Sequence, residues 1–211
     1  MDYIKHIVAE ECNRFIQNVL GESAGHIWHK TVINGMEVFY AYDYIPKSDT
    51  PSNAKPNAIQ RLVWTFKNDR ASITSAQHVK ALRYVIRLLV GLILDHIQEW
   101  GKDLVLVCVP ASSPGKNQRR WCVFSEVVCK LTGIANGYPH VHVTGSSIPS
   151  HIGGGGNAPT TFDKGFFKGK DVILFDDLVT TGFTIKTTSH ALESAGARVI
   201  AHVALAQSVQ D

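Results

Sequence analysis

Three stretches limit the fold more than any others: "DLVLVCVP" (103–110), "DVILF" (171–175) and "RVIAHVALA" (198–206). Each is an apolar run of strand length with little polar alternation. A strand with one wet face alternates, so these read as strands covered on both faces. Between them lie segments with helical spacing, 117–132 stopped by Gly133 and 183–195 stopped by Gly196. Strand–helix–strand order with doubly covered strands predicts an α/β fold with a central, mostly parallel sheet flanked by helices.

The first half of the chain has a different rhythm. Residues 3–20 set Ile4, Val8, Cys12, Phe15 and Val19 at helical spacing. "HIWHKTVINGMEVFYAYDY" reads as a β-hairpin, two β-prone runs around the turn pair Asn34-Gly35. A polar, proline-bearing link follows at 46–56. "PNAIQRLVWTFKN" predicts a short helix with Ile59, Leu62, Val63 and Phe66 on one side. Residues 75–100 predict the longest helix, with Val79, Leu82, Ile86, Leu89, Ile93 and Ile97 inward. "HVHVT" predicts a short strand. The stretch 145–165 has no periodicity and contains Gly153 to Gly156 in a row, a composition suited to flexibility.

Composition narrows the function classes. Lys and Arg number 21 against 18 Asp and Glu, a net charge of +3, and the basic residues are scattered. A nucleic-acid footprint is not indicated, although a local basic site stays open. No apolar run reaches the roughly 18 residues that span a bilayer, and Arg87 interrupts the longest, "VIRLLVGLILDHI". The start "MDYIKHIVAEEC" is amphipathic and unlike a signal peptide, so a cytoplasmic location without membrane attachment is expected. Cys12, Cys108, Cys122 and Cys129 form no C-x-x-C pair, and reduced thiols in a core are the expected reading.

The chemistry concentrates in "DVILFDDLVTTGFTI" (171–185). Asp176 and Asp177 stand at the carboxyl end of a strand, where open parallel sheets bind ligands. The loop behind them leads into a helix whose first amides lack intrahelical partners and attract an anion. Gly182 permits close backbone approach, and Thr180, Thr181 and Thr184 offer hydroxyls. The two carboxylates cannot bind the same phosphate. They suit sugar hydroxyls or a hydrated Mg²⁺. A ligand with a phosphate at one end and a vicinal diol at the other, such as a ribose phosphate, meets both demands.

The run "VILFDDLVTTGFT" closely resembles the phosphoribosyl-diphosphate (PRPP) motif of the type I phosphoribosyltransferase family: an apolar strand, two acids, two variable residues, then a Thr-Thr-Gly-x-Thr loop. The resemblance implies that Asp176 and Asp177 face the ribose hydroxyls and serve catalysis and Mg²⁺. It implies that Thr180, Thr181, Gly182, Phe183 and Thr184 hold the 5′-phosphate. "LVLVCVPASSPGK" is similar to the family's strand and diphosphate loop, which carries that role to Ala111, Ser112 and Ser113, with Lys116 or Arg119 as charge partners. "IQRLVWTFKNDR" is similar to the "LI..LKF.GDR" helix of the family's ComF-like branch. The 211 residues lack that branch's cysteine-rich zinc module. They read "RRWCV" where it has "RGFNQ", keeping Arg119.

The resemblance implies one domain over 1–211, with a helix and hairpin hood region at 1–56, a core at 57–211 and a mobile flap over 145–169 that holds His151, Lys164 and Lys168. It implies a Mg²⁺-dependent transferase of nucleotide metabolism that moves ribose 5-phosphate from PRPP to a base-like acceptor and releases diphosphate; the oligomeric state stays open, with a homodimer among the options. Two other readings stay open: a PRPP- or nucleotide-binding regulator without turnover, and an accessory protein of DNA uptake. Plainer readings stand beside the site residues. Ser112–Gly115 fits an ordinary turn, and Arg119 and Arg120 fit solvated charges at a helix start. Trp64 and Trp121 suit packing better than base stacking. His140 and His142 have no third ligand at metal spacing. No G-x-G-x-x-G or P-loop signature is present.

Overall fold

A computed structural model describes residues 28–46, 49, 55–101, 103–147 and 158–209. The expected helix at 3–20, most of the link at 46–56, His151 and the four glycines lie outside the described residues. The elements run in the order β1 (His29–Ile33), β2 (Met36–Tyr44), α1 (Ala58–Lys67), α2 (Ser75–Trp100), β3 (Leu104–Cys108), α3 (Pro114–Thr132) and β4 (Ala135–Asn136). A 3₁₀ turn at Tyr138–His140 leads to β5 (Val141–Val143), β6 (Thr160–Phe162), α4 (Lys164–Phe167), β7 (Asp171–Val179), α5 (Phe183–Ser194) and β8 (Arg198–Ser208).

Six strands form one sheet in the order β1-β2-β8-β7-β3-β4. Every pairing in it is parallel except that of β1 with β2. This is the expected α/β architecture, a mostly parallel sheet flanked by helices. Side-chain alternation explains the continuous apolar runs. In β3, Leu104, Leu106 and Cys108 join the core beneath α1, α2 and α3, while Val105 and Val107 join the core beneath α5. In β7, Ile173 and Phe175 face the first core, and Val172 and Leu174 face the second. The first core centres on an aromatic cluster in which Phe124 meets Phe66, Trp121 and Phe175 at ring separations of 5.3, 5.7 and 5.1 Å.

Three expectations change, and a fourth, the "HVHVT" strand, is met and gains a place. The hairpin, read as an addition to the core, supplies two strands of the central sheet, because β2 finds a full ladder along β8 from Val38↔His202 to Tyr44↔Ser208. The helix expected at 117–132 begins at Pro114. Proline suits the first helical position, and the Ser113 side chain accepts from the Lys116 amide. The "HVHVT" strand belongs to a separate antiparallel pair, β5 with β6. The flap expectation over 145–169 is too wide. Its second half contains β6 and α4, where Phe167 is fully buried and the Gly169 amide donates to the Gly196 carbonyl at 2.8 Å. No helix among the described residues is long and apolar enough to cross a membrane.

Phe124 ties α3 to α1 and β7, so its truncation tests this core. Phe124→Ala is expected to cost about 3–5 kcal/mol, read as a lowered urea midpoint with an unchanged m-value. A loss under about 1 kcal/mol would contradict the packing.

Candidate functional site

Strand β7 does not stop at Phe175. It continues to Val179 because β8 is long enough to pair with it, Asp176↔Ala204, Leu178↔Ala206 and Val179↔Gln207. On its other side β3 ends one pair earlier than the acids, at Cys108↔Phe175. The expectation of acids just beyond a strand end is therefore corrected: they lie within β7, past the end of its neighbour. Adjacent strand residues point to opposite faces, and the two carboxylates have different surroundings.

Asp177 is 2% exposed and meets two cations. Its Oδ1 lies 2.9 Å from Lys67 Nζ, at the last residue of α1. Its Oδ2 lies 2.6 Å from Arg120 Nη1, in the second turn of α3. Arg120, itself buried, also binds Asp69 Oδ2 through Nη2 at 2.8 Å. Lys116 Nζ approaches the same Asp69 oxygen at 3.9 Å. Burial works to lower the Lys67 ammonium, yet the Asp177 carboxylate beside it holds it above its ordinary value.

Among the described residues, no cation is paired with Asp176. Its Oδ1 accepts from the Asp177 amide at 2.8 Å. It lines a small pocket with Leu178, Val179, Thr180, Gly182, Phe183, Thr184 and Ile185. Burial, and then the charge of Asp177, push its carboxyl up to about 7, against the opposing pull of Lys67 and Arg120. The pocket's far wall is the start of α5. Gly182 precedes that helix with φ +75 and no side-chain cap. Among the described residues, no protein acceptor is bonded to the amides of Gly182, Thr184 or Ile185. The Phe183 amide has only a 3.4 Å contact to Thr181 Oγ1. One carboxylate thus faces a set of open amides, an arrangement able to hold a ligand with hydroxyls at one end and an anion at the other.

The other expected residues are more dispersed. Ala111 is buried, and its amide already donates to Asn117 Oδ1 at 3.0 Å. Ser112 is exposed, and its carbonyl accepts from the Ser147 amide at 3.0 Å. Ser113 serves as the cap of α3. Lys116 is half-buried at the charge cluster, whereas Arg119 is exposed and its neighbour Arg120 reaches the acids. Trp121 is packed, with Nε1 donating to the Val109 carbonyl at 2.8 Å, and Trp64 lies under the Arg70 guanidinium. Lys67 and Asp69 carry no ligand role in the sequence reading, and Arg120 stands there equally as a ligand or a solvated charge at a helix start. The signal for Lys67 and Asp69 is the "FKNDR" that follows the apolar side of α1, because a lysine one residue past buried Phe66 sits at the end of a helix packed on β7.

Residues 123–210 match the family model described as the phosphoribosyl transferase domain. That span holds the two acids and the loop 180–184 and leaves out β1 to β3, α1 and α2. No curated protein matches the chain. Among solved structures, the chain is similar to the UMP synthase of Leishmania donovani, with 16% identity and a TM-score of 0.37. The similarity covers 72% of this chain and 32% of that one, so the chain spans about a third of that protein's length.

Two outcomes follow from the charges. Arg120→Met should destabilise by about 3 kcal/mol or more in urea unfolding, since it leaves a buried carboxylate short of a partner. Lys116→Met, at a longer and more exposed contact, should cost under about 1 kcal/mol. Without divalent cations, the Asp176 carboxyl binds its proton more tightly in the folded chain than in the unfolded one. Its contribution to stability is full near pH 4 and is lost as pH rises toward 7. Asp176→Asn should therefore gain on the parent protein between pH 4 and 7 and hold that gain above it, measured by urea unfolding across pH. A difference independent of pH would refute the assignment.

Proposed function

We propose that this chain, whose residues 123–210 match the phosphoribosyl transferase domain model, transfers ribose 5-phosphate from PRPP to a nitrogenous acceptor and releases diphosphate. The observation that carries the reading is the pocket in which Asp176 faces the open amides at the start of α5. The amides of Gly182, Thr184 and Ile185 and the hydroxyls of Thr180, Thr181 and Thr184 take the 5′-phosphate. Asp176 accepts from the ribose hydroxyls. As the bond from ribose C1 to diphosphate breaks, positive charge grows on the ring. The Asp176 carboxylate, once ionised, stabilises it electrostatically.

Asp177, with both oxygens held by Lys67 and Arg120, fixes the strand beneath the sugar. Its freedom to accept from a second hydroxyl depends on one of those cations moving to the ligand. The leaving diphosphate is received at the start of α3, by Ser112 and Ser113 with Lys116, and by Arg119 from the exposed side. Arg120 adds charge one residue deeper.

The donors also fit Mg²⁺, in a restricted sense. Among the described residues no group of three or more His, Cys, Asp or Glu could hold a metal. Mg²⁺ commonly binds through one or two carboxylates plus substrate phosphates and water. Asp176, with hard oxygens and no ion pair among the described residues, suits an ion that arrives with PRPP. When bound, Mg²⁺ would neutralise charge on the departing diphosphate.

Calorimetry with Mg²⁺ and PRPP, then a screen of bases for diphosphate release, tests the reading. Asp176→Asn should weaken Mg²⁺-PRPP binding or turnover about ten- to a hundredfold while the protein stays folded. Equal binding and turnover in the folded variant would remove Asp176 from the site. No heat with PRPP and no diphosphate release with any base would end the transferase reading.

A further inference from the structure

The turn of the β1–β2 hairpin reaches the loop before α5, nearly 150 positions away in sequence. Asn34 Nδ2 donates to the Thr181 carbonyl. The Asn34 carbonyl accepts from Lys186 Nζ at 3.0 Å, on the first turn of α5. Ile33 fills the space beside Gly182 so closely that a Cβ there would lie 2.5 Å from Ile33 Cγ2. The sequence reading assigned Gly182 to close approach by the ligand. The structure gives it two other demands, a positive φ and the Ile33 methyl. Neither Ile33 nor Asn34 lines the Asp176 pocket, so the hairpin grips the loop from outside.

Peptide geometry turns that grip into orientation. Across a trans peptide the carbonyl and the next amide point in opposite directions. Holding the Thr181 carbonyl toward the hairpin therefore turns the Gly182 N–H away from it, while Gly182 itself lines the pocket. Asn34 is suited by chemistry as well as shape. Its φ of 51° is in the left-handed region that Asn tolerates, and its side chain is a donor. Glycine would satisfy the backbone and lose the donor. Aspartate would present an acceptor to a carbonyl.

We propose that Asn34 is a positioning residue for the anion loop: it fixes the Thr181–Gly182 peptide so that the amides at the start of α5 meet a phosphoryl group. The hairpin turn then belongs to the ligand site without touching the ligand. Lys186 is spent on the hairpin and adds only its field. The proposal rests on the reading of loop 180–184 as the 5′-phosphate site.

The test is an NMR titration of the full chain with inorganic phosphate and with ribose 5-phosphate, following the amides of residues 182–185. Asn34→Gly keeps a Gly-Gly turn suited to the hairpin and should bind both ligands roughly three- to tenfold more weakly, by loss of one oriented hydrogen bond. Asn34→Asp should lose more. Lys30→Ala removes the exposed Lys30–Glu37 pair of the same hairpin and should bind like the parent. If the parent binds phosphate at these amides and Asn34→Gly and Asn34→Asp bind equally well, the positioning role is wrong. An equal loss in Lys30→Ala assigns the effect to hairpin integrity and also overturns it. Failure of the parent itself to bind either ligand overturns the 5′-phosphate reading, and the proposal with it.

Discussion

The carboxylate of Asp177 sits almost dry within the sheet, and the arrangement around it follows from that. A buried anion without partners is among the costliest features a fold can carry. Two helices answer it, α1 with its last residue, Lys67, and α3 with Arg120. Both must end or begin close to the carboxyl end of β7 for this to happen. The charge thus sets where the helices above the first core stop, and the aromatic cluster of Phe66, Trp121, Phe124 and Phe175 fills the space beneath. Hydrophobic burial favours the layers coming together, whereas the ion pairs define their register.

The same arrangement separates two adjacent acids into two roles. Asp177 is neutralised from the helix side, and among the described residues that leaves Asp176 as the carboxylate without an ion pair, beside open amides. Two unpaired carboxylates at neighbouring positions would raise each other's proton affinity and repel an incoming phosphate ester. Anchoring one of them reduces that conflict while keeping an anion next to the sugar position.

The parallel core was legible because doubly buried strands leave no polar alternation, and 103–110, 171–175 and 198–206 state this directly. The loop 180–184 was legible for a related reason, since a strand, two acids and a Thr-Gly loop are local chemistry. What escaped depends on pairing across long separations. The extension of β7 to Val179 requires β8 as a template. The place of β2 in the central sheet requires the same strand. Arg120 rather than Arg119 reaches the acids because of the rotation of α3, which a helix start shifted from 117 to 114 does not reveal. Asn34-Gly35 reads as a hairpin turn in the sequence, and its contact with Thr181 is invisible there.

The pairing of β2 with β8 has a further consequence for how the chain becomes a protein. β2 occupies residues 36–44, and its parallel partner occupies 198–208. On a ribosome, β2 emerges well before β8 and, among the described strands, has β1 beside it first, so one edge of an apolar strand waits until residues 45–197 have been made. An unpaired edge is a template for other chains, and long-range parallel pairing forms slowly. The hairpin is therefore exposed to misassembly during synthesis, and the loop before α5 acquires its support only when β8 has joined the sheet.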